Sequence, residues 1–307
     1  MHDPKEILQS YLILREKYDA KGLFEKVKAR LVGDGRGQDR NMFNENEISS
    51  PTASLESIFN TLKITVEEDR TMLVVDVGVA YLNATIEEDV HMVLDMVVSQ
   101  ILVDIDPSYK RYLNAKGKIL VKIERALYEL VQSAKRWYET LTDVLKKDGF
   151  EMNQMDQCVF NKREEDGNQT TVVIYVDDLL ITSRRKTSVE YVKELIEREF
   201  IDIKTKSGSE ITYLGMVLKR ERNGNININM KAYIKNIIKE WKNVKLYQYS
   251  VPAEHKLFED EGKDMSDQKA KFHRTVAQLL NLSTKGEARY CSSNLILVYR
   301  RPRTNKG

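Results

Sequence analysis

The stretch TVVIYVDDLLITS, Thr171 to Ser183, decides how this chain is read. Apolar and β-branched residues run in as TVVIYV and out as LLITS, which predicts two buried strands joined as a hairpin. At the join stand two adjacent acids, Asp177 and Asp178. Carboxylates are costly inside a run that otherwise wants burial, and Asp-Asp is a poorer two-residue turn than Asn-Gly, so local propensity does not account for them. Taken alone, such a pair is more often a solvated loop tip.

Its weight changes on reading outward. Upstream, TMLVVDV (Thr71 to Val77) is a second short apolar run whose length suits a buried strand, and Asp76 sits inside it. Three acids at the ends of apolar strands, Asp76, Asp177 and Asp178, suit a divalent-metal site. Like charges a few ångströms apart repel strongly in partly desolvated surroundings, and bound cations relieve that repulsion while holding a phosphate. Metal-assisted phosphoryl chemistry is the class that follows, with two magnesium ions about 3.5 to 4 Å apart serving the attacking and leaving oxygens of an in-line displacement. The acids Glu87, Glu88, Asp89, Asp104 and Asp106 lie in polar or turn-like surroundings and read as solvated. His2, His91, His255 and His273 show no ligand spacing.

Helical spacing fills the gaps between these strands. Leu55, Ile58, Phe59 and Leu62 fall at i, i+3, i+4 and i+7, and a second stripe runs Leu130, Ala134, Trp137, Leu141, Leu145 up to Gly149. Trp137 therefore reads as core. Thr187 with Glu190 makes a capping box for a helix carrying Val189, Val192, Leu195 and Ile196. Asn223-Gly224, between YLGMVLKR and NININM, is the strongest short-range hairpin signal; further helices are expected at Ile234 to Trp241 and Lys271 to Ser283. GDGRG (Gly33 to Gly37) is too short and wrongly spaced for a phosphate loop and reads as a turn between strands. Strand, helix, hairpin, helix is an α+β order.

Composition bounds the rest. The 307 residues have room for two or three domains; 41% apolar and 31% charged residues place the chain in the ordinary globular range and exclude a disulfide mini-scaffold. A net charge of +2 means that any nucleic-acid surface must come from local clustering, as in Lys21 to Arg40 or the tail at Arg300, Arg301 and Arg303. Cys158 and Cys291 lack metal or disulfide spacing, which fits a reducing compartment, and no stretch approaches the roughly 20 apolar residues of a membrane span. On carboxylates alone, any metal-dependent nucleotidyltransferase or cyclase remains open.

Several segments occur together in one order: KARLVGDGRGQDR (Lys28 to Arg40), SSPTAS (Ser49 to Ser54), DVGVAYLN (Asp76 to Asn83), ALYELVQSAKRWY (Ala126 to Tyr138), DQCVFNK (Asp156 to Lys162), YVDD (Tyr175 to Asp178), YLGM (Tyr213 to Met216) and FHRTVAQLL (Phe272 to Leu280). Over nearly its whole length the chain resembles the reverse transcriptase of copia-type retrotransposon Pol polyproteins. The resemblance implies an α+β right-hand polymerase fold: fingers over 11–51 and 85–128, a ferredoxin-like palm over 52–84 and 129–220, and a partial helical thumb over 221–307. It implies RNA-directed DNA polymerase activity on an RNA template and a DNA or RNA primer with dNTPs, with Asp76, Asp177 and Asp178 as catalytic carboxylates holding two Mg2+ ions, Mn2+ being an alternative.

By the same resemblance, Lys28 and Arg30 contact the incoming triphosphate, Tyr81 is a steric gate against a ribose 2′-hydroxyl, Glu129 and Gln132 belong to a second nucleotide-facing motif, and Tyr213, Leu214, Gly215 and Met216 grip the primer end. The bland alternatives are a solvated edge strand for Lys28 and Arg30, and core packing for Tyr81, Leu214 and Met216. The family usually has Gly where Glu129 stands and Pro where Ala134 stands; a Glu is expected to abolish any left-handed backbone there and to push an acid toward the triphosphate. The chain ends at Gly307, soon after the thumb-like segment, so ribonuclease H, integrase and protease parts are expected to be absent. The rival reading is a catalytically inactive, truncated or domesticated relative that binds nucleic acid. No membrane is implicated, and a cytoplasmic retrotransposon particle, with the nucleus as alternative, is the implied setting.

Overall fold

The computed structural model describes residues 6–18, 24–38, 40–44, 48–241, 269–286 and 295–297. The basic tail at Arg300, Arg301 and Arg303, and Cys291, lie outside them. The chain divides into two compact units, residues 1–53 with 75–205 and residues 54–74 with 206–307.

Regular structure begins with strands β1 (Glu6–Tyr18) and β2 (Phe24–Gly33), then helix α1 (Leu55–Glu67), strand β3 (Thr71–Val77), strand β4 (Val90–Val93), helix α2 (Met96–Ile105) and strand β5 (Leu120–Lys122). Helix α3 (Ser133–Lys147) leads to β6 (Glu151–Met152), β7 (Val159–Arg163), β8 (Gln169–Tyr175) and β9 (Asp178–Ser183). After helix α4 (Lys186–Glu199) come β10 (Ile203–Ser207), β11 (Glu210–Tyr213), β12 (Met216–Arg220), β13 (Ile226–Asn229), α5 (Lys231–Glu240), α6 (Lys269–Gly286) and β14 (Leu295–Leu297).

One sheet has the order β10-β3-β9-β8-β7-β6; of its strands, β6 to β9 lie wholly in the first unit. The run read as a hairpin is one: β8 and β9 pair antiparallel, with Val172, Val173, Ile174, Leu179, Leu180 and Ile181 essentially inaccessible. Helix α3 buries Trp137, Leu141 and Leu145 as the spacing predicts. It stops in a Schellman motif, Phe150 N–H donating to Leu145 O (3.0 Å) and Gly149 N–H to Lys146 O (2.9 Å), with Gly149 at φ 87°. Leu130, expected within this helix, is instead buried in the turn ahead of it.

A second sheet of this unit has the order β2-β1-β4-β5. Its β1–β2 register sets Ile13 opposite Arg30 and Arg15 opposite Lys28, so Arg15, Lys28 and Arg30 share one face. GDGRG forms a 3-10 turn after β2, but another 3-10 turn at Arg40–Met42 follows it rather than a strand. Gly35 is required by proximity: a Cβ there would lie 2.0 Å from the backbone oxygen of Glu129. Gln38 locks the same approach, its side-chain oxygen accepting from Val131 N–H (2.9 Å) and its amide donating to Gln132 (3.3 Å).

Two local expectations are corrected. Helix α4 starts at Lys186 with Arg185 as its N-cap and no side-chain cap, so Thr187 lies within the first turn and not at the cap. Arg185 ion-pairs with Glu164 and Asp166, and Ser188 donates to Glu164 (2.5 Å), which fixes the helix start by tertiary contacts that no local box encodes. The acidic hairpin turns on Val176-Asp177 rather than on Asp177-Asp178, because Tyr175 pairs with Asp178.

In the second unit, α1 starts at an Ser54 cap that accepts from Ser57 N–H (3.1 Å) and buries Ile58, Phe59 and Leu62. β12 and β13 form the expected hairpin, closed by Glu221 and Asn225 with Gly224 at φ 84°. Trp241, just past α5, donates to Thr275 on α6 (3.0 Å). Among the described residues no helix is long and apolar enough to cross a membrane.

Replacing Gly35→Ala is expected to destabilise the protein by about 1–3 kcal/mol, because backbone, not a pliable side chain, occupies the space the methyl would need. Urea unfolding reads this directly; an unshifted midpoint would contradict the close approach.

Candidate active site

All of the site described first belongs to the unit formed by 1–53 and 75–205. The β8–β9 turn carries Asp177, and the Asp177 carbonyl accepts from Val77 N–H at 2.9 Å, which holds the end of β3 against the turn. Asp76 precedes Val77, so two strand ends converge with an acid on each. Val176 reaches the turn at φ 58°, a left-handed conformation that a β-branched residue rarely adopts. Its carbonyl accepts from the Trp137 indole N–H at 2.7 Å.

Burial is the main cause that pushes the Asp177 carboxyl above the usual carboxylate range, and the charge of Asp76 adds to it. The Asp177 backbone N–H, Lys28 and Arg30 act in the opposite direction. The opposing charges place β2 in the same electrostatic field as the two acids. Tyr128 joins them: its ring lies under the Arg30 guanidinium at 5.2 Å and against Tyr81 at 4.7 Å between centroids. Burial raises both phenols, with Asp177 contributing to each. Arg30 Nε is buried with no hydrogen-bond partner among the described residues, a donor without an acceptor.

Asp178 is half-buried at the first position of β9. Among the described residues no three His, Cys, Asp or Glu side chains stand together as a ready-made metal cage. Asp76 and Asp177 nevertheless fit a hard divalent cation: they are oxygen donors, their repulsion is what a cation relieves, and Mg2+ commonly takes one or two carboxylates with substrate phosphates and water.

The second nucleotide-facing motif divides. Gln132 is 1% exposed and bonded to Gln38, while Glu129 is exposed and accepts from the Tyr11 hydroxyl. The expected loss of left-handed backbone at Glu129 does not occur: the residue stands at φ 72°. Contacts on either side impose this geometry, Val32 bridging to Tyr128 and Gln38 to Val131. In the other unit, Tyr213 pairs with Met216 across a tight turn of Leu214 (φ 48°) and Gly215 (φ 78°); Tyr213 and Met216 are buried.

Tyr128, Tyr11 and the bond from Trp137 escape a reading by periodicity. Trp137 gives one usable signal, since a buried indole N–H has to find an acceptor. Tyr128 and Tyr11 give none, because Arg30 and Glu129, with which they pair, lie far away in sequence.

A carboxyl with a raised folded-state pKa favours the folded state when protonated, a contribution present below its unfolded pKa and lost as pH rises through the folded one. Asp177→Asn, neutral at every pH, is therefore expected to raise stability at pH 7 in chelator, with the gain vanishing toward pH 3. Thermal unfolding across that range checks it; a destabilised variant at pH 7 would contradict the electrostatic account.

Residues 2–255 match the family described as Reverse transcriptase (RNA-dependent DNA polymerase). The Retrovirus-related Pol polyprotein from transposon TNT 1-94 of Nicotiana tabacum is 26% identical over 244 residues, 78% of this chain and 17% of that protein. The Transposon Ty1-LR2 Gag-Pol polyprotein of Saccharomyces cerevisiae is 25% identical over 295 residues, 92% of this chain and 15% of that protein. The chain thus spans under a fifth of the length of these relatives. Among solved structures, apo telomerase from Candida tropicalis, truncated from its C-terminal domain, overlaps 71% of this chain and 54% of that one at 10% identity and a TM-score of 0.34, too slight a likeness to argue from. With the family match covering most of its length, the chain belongs to the reverse transcriptase (RNA-dependent DNA polymerase) family, on the branch of copia-type retrotransposon Pol polyproteins.

Proposed function

We propose that the chain is an RNA-directed DNA polymerase domain that extends a DNA or RNA primer on an RNA template with dNTPs. The observation that carries this is the bond of Val77 N–H to the Asp177 carbonyl at 2.9 Å, which brings the strand end bearing Asp76 to the turn bearing Asp177; Lys28 and Arg30, cations able to hold phosphates, act electrostatically on the same carboxyl. In this reading Asp76 and Asp177 hold divalent metal, Mg2+ or Mn2+, with Asp178 completing the set. Bound metal supplies charge neutralisation at the attacking and leaving oxygens. The primer O3′ bonds to the α-phosphorus as the bond to the bridging oxygen breaks, and pyrophosphate leaves.

The protein's part is placement. Arg30 offers its buried, unpaired Nε to a triphosphate oxygen, and stacking on Tyr128 keeps the guanidinium from following the phosphate out. Tyr81, packed on Tyr128 within reach of the Asp177 charge, stands where a nucleotide sugar bound at the carboxylates would pass. The polymerase anatomy proposed with it is fingers at 11–51 and 85–128, palm at 52–84 and 129–220, primer grip at Tyr213 to Met216, and thumb from 221. The inactive rival rests on Glu129 and on truncation; against the first, Glu129 keeps a left-handed backbone and accepts from the Tyr11 hydroxyl.

Primer extension on an RNA template tests the proposal: Asp177→Asn is expected to lower the rate by more than about a hundredfold while the fold persists. A folded variant as fast as the parent would overturn it. Tyr81→Val, by opening volume beside the sugar, is expected to raise ribonucleotide over deoxynucleotide incorporation by at least about tenfold; an unchanged ratio in an active variant would leave Tyr81 as packing only.

A further inference from the structure

The turn that carries Asp177 is conformationally expensive. A β-branched residue in the left-handed region costs on the order of 1–3 kcal/mol and persists only where the surroundings over-determine it. Of the two central residues only Val176 has positive φ. Two-residue hairpin turns with both or only the first central residue at positive φ differ in which way the central peptide plane faces. In this turn that plane is the Val176–Asp177 peptide.

The carbonyl end of that plane is engaged. The Val176 carbonyl receives the Trp137 indole N–H at 2.7 Å, which fixes the direction in which the plane faces. The next carbonyl, of Asp177, receives Val77 N–H from the strand that bears Asp76. Trp137 is itself fixed: it is 1% exposed, and Phe200 lies edge-on to it at 5.0 Å. An indole N–H so deeply buried is destabilising when left without its acceptor, so the bond holds turn and helix to each other.

We propose that Trp137 is a positioning residue for the polymerase centre: its N–H fixes the orientation of the Val176–Asp177 peptide, and through it the place of the Asp177 carboxylate relative to Asp76. This rests on the assignment of Asp76 and Asp177 as metal-holding acids. It gives the indole a task beyond filling the core, since a phenyl ring would fill most of the same space and contact Phe200 equally.

The test compares Trp137→Phe, which removes the N–H and keeps an aromatic ring, with Phe200→Leu, which disturbs the packing and keeps the N–H. A third protein carrying benzothienylalanine at position 137, matched to Trp in shape but with no N–H, serves if the phenyl variant fails to fold. Mn2+ binding is read from the electron paramagnetic resonance of free Mn2+, and primer extension gives kcat and the KM for dNTP. Loss of the N–H is expected to weaken Mn2+ binding about 10–100-fold and lower kcat with KM within about twofold, whereas Phe200→Leu lowers the melting temperature and leaves both nearly unchanged. Parental Mn2+ affinity and kcat in a folded protein lacking the N–H would overturn the inference, as would losses in all variants that merely track melting temperature. Mn2+ binding by the parent that survives both Asp76→Asn and Asp177→Asn would instead overturn the metal assignment on which the inference rests.

Discussion

The repulsion between Asp76 and Asp177 is the constraint around which the rest of this unit is built. Asp76 stands near the end of one apolar strand and Asp177 in the turn between two others, and burial together with the charge of Asp76 raises the free energy of the Asp177 carboxylate. A fold selected for stability alone would separate or neutralise them. Here the chain spends structure on keeping them together: Val77 bonded to the turn, Trp137 bonded to the turn, and Lys28 and Arg30 reaching in from another sheet. In the proposed reading, a metal-bound nucleoside triphosphate would relieve the repulsion between the acids and meet the basic residues with its phosphates.

Two of the five described non-glycine residues with positive φ belong to this region. Val176 at φ 58° and Glu129 at φ 72° are non-glycine residues in left-handed backbone, one in the carboxylate turn and one beside Tyr128. Each is held from outside its own segment, Val176 by helix α3 and Glu129 by the Gly35 turn and Tyr11. Strain maintained by tertiary contacts is characteristic of sites where position matters more than stability. It also explains how a Glu can occupy a place where the family usually has Gly: the neighbouring contacts dictate the backbone, and the carboxylate turns to the Tyr11 hydroxyl.

Much of this was legible in the residues. Short continuous apolar runs located the carboxylate strands, which are buried on both faces, and period-3.6 patterns located helices α1, α3 and α4, because burial of one helix face leaves a repeat in sequence. What escaped has a common cause. The register of the acidic turn defies local propensity, which would never place Val at positive φ; the start of α4 answers to Arg185 and Ser188 finding Glu164 and Asp166; Tyr128 and Tyr11 take their roles from a sheet assembled across the chain. Each is a tertiary override of a local preference, and none leaves a periodic trace. The three acids proposed as metal-holding could be named from sequence; the bonds that hold two of their strand ends together could not.

The most direct test of the central claim is to locate Mn2+ by its anomalous scattering in crystals of the protein with an RNA template, a DNA primer and a non-hydrolysable dNTP. The account requires a Mn2+ peak between the Asp76 and Asp177 carboxylates, with the triphosphate reaching Lys28 and Arg30. Metal and triphosphate bound elsewhere, with Asp76 and Asp177 empty-handed, would contradict it.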